Sequence, residues 1–426
     1  KGPKNPFRND DSILKIPLKI FLKSKDELTV EVGNQTIALK KGEFTEWIRL
    51  KFNTSFGIKL RCICKFFLKS VEPYFELYIT PLNIDPEKPA LPVSHPFIYS
   101  SYLSKILGDY STLGISDDTW ALNERVIDED AFLKLAYDNH SDKEKIFFNS
   151  LNKIKKGLIV NVFDISDTVQ HMFFRYIGKK RNPEDIIEFE KYQNEIEKVY
   201  VKLDSIVEKV INQINDRTVL IIVSDHGFKS FRKGVNINSW LFANGYLHLK
   251  NGVKNSEKYF RNVDWAKTKA YALGLGGLYI NQKGRESQGI VTRLDEKEKL
   301  KKEITEKLLD LKDEETGEKV IKNIYDADEV YRGPYKNEAP DLLIGYSEGY
   351  RASWDSVIGK ITDKIIEVNE KSWSGDHCID PEIVPGVFFC NRKINTDNPE
   401  IIDIAPTVLN LFGITPPHYM DGKNLI

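Results

Sequence analysis

Residues Val219-Leu220-Ile221-Ile222-Val223 are five apolar residues in a row, mostly β-branched. A run this short and uniform predicts a strand buried on both faces, as in a sheet covered by helices on two sides. It stops at Ser224-Asp225-His226-Gly227. A carboxylate beside an imidazole at the end of such a strand offers one oxygen and one nitrogen donor. Open α/β sheets bind ligands in the crevice at the carboxyl ends of their strands. A strand-ending turn with a capped helix behind it accounts for the same residues equally well, so other segments must decide.

A second segment repeats the pattern. Gly157-Leu-Ile-Val-Asn-Val-Phe-Asp164 predicts another strand, and Asp167 and His171 follow it. Four residues apart, they share one face if the chain turns helical there. Asp164 is a rival donor as the first polar residue off the strand. The structural alternative is that Asp167 caps a helix and His171 packs under Phe173 and Phe174. Between the two segments, residues 186–214 carry Ile186, Phe189, Tyr192, Ile196, Val199, Leu203, Val207 and Val210 at helical spacing, which predicts one long amphipathic helix. Strand, helix, strand is a right-handed crossover. It predicts that the two donor-bearing strands are parallel, with their ends at one crevice.

At 426 residues the chain is long enough for a large domain plus an accessory one. A net charge of −1 gives no basic footprint for nucleic acid. No apolar run approaches the ~20 residues that span a bilayer. The four cysteines form no disulfide framework and point to a reducing, cytoplasmic setting. Cys62 and Cys64 share one strand face and are expected in a core rather than on zinc. The opening Lys1-Gly-Pro-Lys-Asn-Pro reads as a loop, residues 1–11, within a longer protein, so a leader upstream stays open.

Residues 12–85 alternate with period two. Ile48, Leu50 and Phe52 are followed by Ile58, Leu60, Cys62, Cys64 and Phe66, then by Phe75, Leu77 and Ile79. This predicts an antiparallel β module, a small sandwich or a sheet laid against the main domain, with one polar, Lys- and Arg-rich face exposed to solvent. Residues 86–426 are expected to form the large α/β domain. Within it, Asp128–Leu151 reads as a helix burying Phe132, Leu133, Leu135 and Ala136. Gly274, Gly276 and Gly277 do not precede a helix, so they predict close backbone approach rather than a nucleotide loop. His95 and His140 read as background, and Arg232 and Lys233 as solvated charge. Asp341–Tyr346 and Pro385–Cys390 read as further strands, and Asp403 as the cap of a final helix closed by Gly413.

The donors gathered this way are Asp167, His171, Asp225, His226 and His377, the last from the turn-rich loop Trp373-Ser-Gly-Asp376-His377-Cys378. Two carboxylates and three imidazoles exceed one tetrahedral site and suit two adjacent divalent ions. Such a pair, ~3.5–4 Å apart, clamps an in-line displacement at phosphorus or sulfur.

With these motifs in this order, the chain resembles the alkaline phosphatase superfamily, in particular its phosphohydrolase/phosphomutase branch related to type I phosphodiesterase/nucleotide pyrophosphatases. The motifs are Asp167-x-x-x-His171, Ser224-Asp225-His226-Gly227, Gly375-Asp376-His377, Pro385-Gly-Val and Asp403-Ile-Ala-Pro-Thr. The likeness covers roughly residues 86–426. It implies that residues 86–426 are an alkaline-phosphatase-like α/β catalytic domain, with a mostly parallel sheet flanked by helices and the β module as an insertion, and a two-metal site holding Zn²⁺, with Mn²⁺ as the alternative. Asp167, His171 and His377 match the ligands of one ion, and Asp225 and His226 two ligands of the other. It also implies a further Asp and a Ser or Thr nucleophile, neither of which has a match here, so both are expected upstream of Lys1 and this piece alone is expected to be inactive. The implied reaction is hydrolysis of a small phosphoric ester, a monoester or a nucleotide-like diester, through a covalent phospho-enzyme. A phosphomutase, a sulfatase or a non-catalytic binding homologue are the other readings that the resemblance admits.

Overall fold

The structure is a computed structural model that describes residues 2–54, 57–178 and 186–426, so Lys1 lies outside the described residues. The chain divides into two compact units. The first comprises residues 1–172 with Lys371–Trp373, and the second residues 173–370 with Ser374–Ile426.

The first unit opens with an antiparallel meander of β1 (Leu18–Leu22), β2 (Glu27–Val32) and β3 (Gln35–Lys40). There follow β4 (Ile48–Asn53), β5 (Lys59–Cys64), β6 (Phe66–Ser70), β7 (Glu76–Ile79) and β8 (Asn83–Ile84). Strands β4, β5 and β8 form a sheet in that order, and β6 and β7 form a hairpin, all antiparallel. Period-two patterning puts Leu28, Val30, Val32, Ile48, Leu50, Phe52, Cys64, Phe66 and Leu68 in one core. All four cysteines are free, and burial pushes the Cys64 thiol up to about 12. The expected alternation fails in β7. Tyr78, not Phe75 or Ile79, turns inward, because its hydroxyl donates to Asp118 Oδ2 at 2.6 Å.

Four helices follow: α1 (Ile98–Leu107), α2 (Thr119–Asn123), α3 (Glu129–Lys153) and α4 (Ile165–Phe173), the last of which crosses into the second unit. Helix α3 is capped by Asp128, whose carboxylate accepts from Ala131 N at 2.9 Å, and it buries Phe132, Leu133, Leu135 and Ala136 as expected.

The second unit continues with α5 (Ile186–Tyr192) and α6 (Glu195–Ile211). The single helix expected over 186–214 is therefore broken. Asn194, at φ −104° and ψ 6°, leaves the helical region between the two pieces, as asparagine readily does. The side chain of Ile186 lies outside the described residues. Next come β9 (Ile221–Val223), β10 (Lys229–Val235), α7 (Ile237–Ala243), β11 (Ala270–Leu273), β12 (Gly277–Ile280), α8 (Leu294–Leu309), β13 (Ile321–Asp326) and α9 (Ala327–Val330). The chain ends with β14 (Leu342–Tyr346), β15 (Gly349–Ala352), α10 (Trp354–Val357), β16 (Ile366–Val368), β17 (Gly375–Asp376), β18 (Phe388–Cys390) and α11 (Ile404–Leu411).

Two sheets frame this unit. One has the order β11-β12-β14-β13; in the other β10 lies between β15 and β16 and also pairs with β17. Helices α7 and α8 contribute Ile237, Trp240, Leu241, Leu300, Ile304 and Leu308 to its core, against Ala270, Leu278, Ile280 and Ile344 from the strands. The Gly-broken hairpin β11–β12 turns at Gly274, φ 75°.

The molecule is mixed α/β, as expected. Among the described strand pairs, however, only β10–β15 is parallel, and the rest are antiparallel. The crossover expected to align two parallel strands is not formed by these residues. Residues 158–164 are not a paired strand, and Leu158, Val160 and Val162 are 53%, 77% and 75% exposed. The other half of the crossover, β9, pairs among the described residues with β18 alone, antiparallel, so it is half-buried rather than buried on both faces. An apolar run signals two-sided burial only where the strand has neighbours and covering layers to supply it. Asp403 also departs from expectation. It does not cap α11 through its side chain; its carboxylate accepts from Glu400 N and Lys423 N at 2.9 and 2.7 Å, tying the C-terminal tail to the helix start. No helix among the described residues is long and apolar enough to cross a membrane.

The core of the second unit should be sensitive to cavities. Leu278→Ala, at a fully buried position on β12, is expected to lower unfolding free energy by ~2–5 kcal/mol, read as a fall in the urea midpoint without a change in slope.

Candidate functional site

In the first unit, α4 places Asp167 and His171 one turn apart, with Asp167 Oδ1 3.5 Å from His171 Nε2. The imidazole is almost fully buried and its ring lies 3.9 Å from that of Trp373, tilted by 32°. The start of α4 is fixed from below. Asp117, buried on the approach to α2, accepts from Thr168 Oγ1 at 2.7 Å and from Asn139 Nδ2 at 2.8 Å. Burial raises the Asp117 pKa, against the lowering effect of these two donors. Asp164, the rival donor, forms an ion pair with Lys143. His140 is buried on α3 against the Phe163 ring, a packing role, and His95 lies exposed in the loop before α1.

In the second unit, β9 ends where expected and Asp225 and His226 leave it. Asp225 is 78% exposed, with Oδ1 3.5 Å from His226 Nε2. His226 Nδ1 lies 3.1 Å from Gly227 O; protonated there, it donates to that carbonyl and leaves Nε2 as the electron-pair donor. The turn is built by close approach. Gly227 N donates to Val384 O at 2.8 Å, and a Cβ on Gly227 would sit 2.7 Å from Pro385 O. A Cβ on Gly386 would collide with Ser224 O.

The pairing of β10 with β17 then brings the distant loop in. Lys229 faces Asp376 and Ser230 faces Gly375, so the next residues outward, Phe228 and His377, also meet, with ring centroids 5.2 Å apart. The His226 and His377 rings stack at 3.5 Å with planes 7° apart. Burial first, then the neighbouring His226, lowers the His377 pKa, which favours the neutral, electron-donating imidazole. Asp376, His377 and Cys378 also offer donor atoms within 4.8 Å of one another. The Asp376 carboxylate, however, is bound to the Arg351 guanidinium at 2.7 Å and to the N–H groups of His377 and Cys378, both at 2.8 Å.

The donors thus fall into two groups: Asp167 with His171 in the first unit, and Asp225, His226 and His377 in the second. Ligands of one tetrahedral ion with bonds of ~2.0–2.1 Å stand about 3.3–3.4 Å apart. The 3.5 Å separation within each carboxylate–imidazole pair meets that spacing, and the oxygen and nitrogen donors suit a divalent ion. Arg232 is exposed, as expected, but Lys233 is not simply solvated. It pairs with Asp313 at 2.6 Å and Glu315 at 2.5 Å in an internal network with Tyr350. Trp373 and Phe228 flank the donors and could have been noticed as aromatic neighbours of the motifs. Asp117 and Arg351 carry no local sequence signal.

Residues 94–364 match the family model of type I phosphodiesterase / nucleotide pyrophosphatase. The match spans more than half the chain, and the chain belongs to that family, within the alkaline phosphatase superfamily. No curated protein and no solved structure matches the chain.

The hold of Asp117 on α4 is open to measurement. Thr168→Val, which removes a donor from a buried carboxylate, is expected to cost ~1–3 kcal/mol in thermal or urea unfolding. Thr168→Ser should stay near wild type.

Proposed function

We propose that this protein is a metal-dependent hydrolase of phosphoric esters, of the phosphodiesterase or nucleotide pyrophosphatase type, acting on a small, nucleotide-like substrate. Residues 86–426 would form its catalytic part, with the β module of residues 12–85 as an insertion in that domain. The observation that carries this reading is the pair of carboxylate–imidazole couples, each with donors 3.5 Å apart, in a chain of this family.

Asp167, His171 and His377 would hold one divalent ion, and Asp225 and His226 would contribute to a second, with Zn²⁺ the preferred metal and Mn²⁺ the alternative. Connectivity supports the first set: Trp373, which packs on His171, precedes His377 by only three intervening residues. When bound, the ions supply Lewis acidity that neutralises charge on phosphoryl oxygens and lowers the pKa of a hydroxyl or water.

The chain's own residues prepare the site. Gly227 O, accepting from His226 Nδ1–H, presents Nε2 outward. The lowered pKa of His377 keeps its imidazole neutral and able to ligate near neutral pH. Asp225, exposed at the strand end, can meet solvent-borne ions without a desolvation barrier. Trp373 covers one face of His171 and restrains its ring. No nucleophile is assigned among these residues.

Metal content by mass spectrometry, with turnover of bis(p-nitrophenyl) phosphate and p-nitrophenyl phosphate, tests the proposal. The intact protein, carrying the nucleophile that the family likeness implies, should cleave at least one ester when loaded with Zn²⁺ or Mn²⁺. His377→Ala should lose one metal equivalent and most turnover, a fall of at least ~100-fold as expected when a group stabilising the transition state is removed. Retention of both by His377→Ala would remove that residue from the site.

A further inference from the structure

Behind His377 lies an ion pair that the proposed reaction does not itself require. Arg351 and Asp376 are 2% and 3% exposed, and Arg351 Nη1 is 2.7 Å from Asp376 Oδ2. Arg351 sits on β15, opposite Gly234 of β10, while Asp376 sits on β17, opposite Lys229 of the same strand. The guanidinium carbon lies 4.3 Å from the Trp354 ring centre and 5.1 Å from that of Phe231, and Nε donates to Ala352 O at 3.1 Å. Each contact limits where the planar fork can point.

Burying both charges costs desolvation that their attraction repays only with good geometry and further hydrogen bonds. Such pairs are therefore poor stabilisers, and their best-attested use is to specify one arrangement. Here the arrangement is visible. The two oxygens of Asp376 divide their work: Oδ2 takes the guanidinium, and Oδ1 accepts the backbone N–H of His377 and that of Cys378, both at 2.8 Å. The second of these is an Asx-type turn closed on the residue after the imidazole. The carboxylate thus fixes the backbone on both sides of the His377 Cα, and Arg351 fixes the carboxylate.

We propose that Arg351 is a positioning residue for the metal-ligating imidazole of His377, acting through Asp376. The inference rests on the assignment of His377 as a ligand. It adds that the ligand's placement is set from another strand, β15, by a residue that acts through Asp376. Outer partners that orient a ligand typically change metal affinity by ~10–100-fold when removed.

The test is zinc affinity, measured by competition with a chromophoric chelator on the purified protein, with urea unfolding of the metal-free form alongside. Arg351→Lys keeps the charge but loses the planar fork. Asp376→Asn keeps an acceptor for the two N–H groups and turns an amide towards the guanidinium. Both are expected to weaken zinc by about 10–100-fold in protein that remains folded. A purely structural role would lower the urea midpoint and leave the zinc affinity of the folded protein at the wild-type value, and that result overturns the inference. If both variants fail to fold, Trp354→Leu loosens the guanidinium and spares the ion pair. Weaker zinc in that variant supports the inference, and wild-type affinity overturns it. His377→Ala is the reference. Unchanged zinc in His377→Ala defeats the ligand assignment itself, whereas lost zinc there with wild-type affinity in the Arg351 and Asp376 variants defeats only the positioning role.

Discussion

The antiparallel register of β10 with β17 is the constraint on which the second unit's donors depend. Asp225 and His226 precede β10, and His377 follows β17, some 150 residues later in the chain. Hydrogen bonding between Lys229 and Asp376 leaves the flanking Phe228 and His377 nowhere to go but beside each other. The stacked imidazoles follow from that pairing. Register is unforgiving, since a slip of one residue would turn every side chain of β17 to the opposite face. The same strand also pairs with β15, which carries Arg351, the ion-pair partner of Asp376. One seven-residue strand thereby sets the spacing of a carboxylate, two imidazoles and the cation behind them.

In the first unit a helix does the corresponding work. Asp167 and His171 are paired by helical spacing alone, but the rotation of α4 is set by a buried acceptor. Asp117 collects the Thr168 hydroxyl and the Asn139 amide, and so locks the first turn of α4 to α3. The cost of burying Asp117, seen in its raised pKa, is offset by these two donors.

Local features were legible in the sequence and pairings were not. The Asp167–His171 couple depends only on i,i+4 geometry, and the Asp225–His226 couple only on adjacency, so both could be read directly. The antiparallel strands β1 to β8 and helix α3 were readable from periodicity. The crossover linking residues 157–164 to β9 was not, because an apolar run carries no information on whether neighbours exist to cover it. Val160 is exposed and β9 joins β18 instead. Asn194 divides α5 from α6 although the apolar stripe passes through it, since periodicity is blind to one residue leaving the helical region. Asp117 and Arg351 act across long sequence separations through single contacts, and nothing in their own neighbourhoods marks them.

The glycines beside the Asp225–His226 turn bear on how this protein could change over generations. Gly227 presses on Pro385 and Gly386 on Ser224, and at neither place does the facing backbone leave room for another carbon. Any side chain at either position must prise apart the ribbon that carries the donors, so in a saturation library both positions should come through as glycine alone. Phe228, half-buried one residue further on, meets the rings of Phe174, His226 and His377 and can trade shape for shape. Change at this turn would then enter through the aromatic position, while the two glycines hold still the ribbon that carries Asp225 and His226.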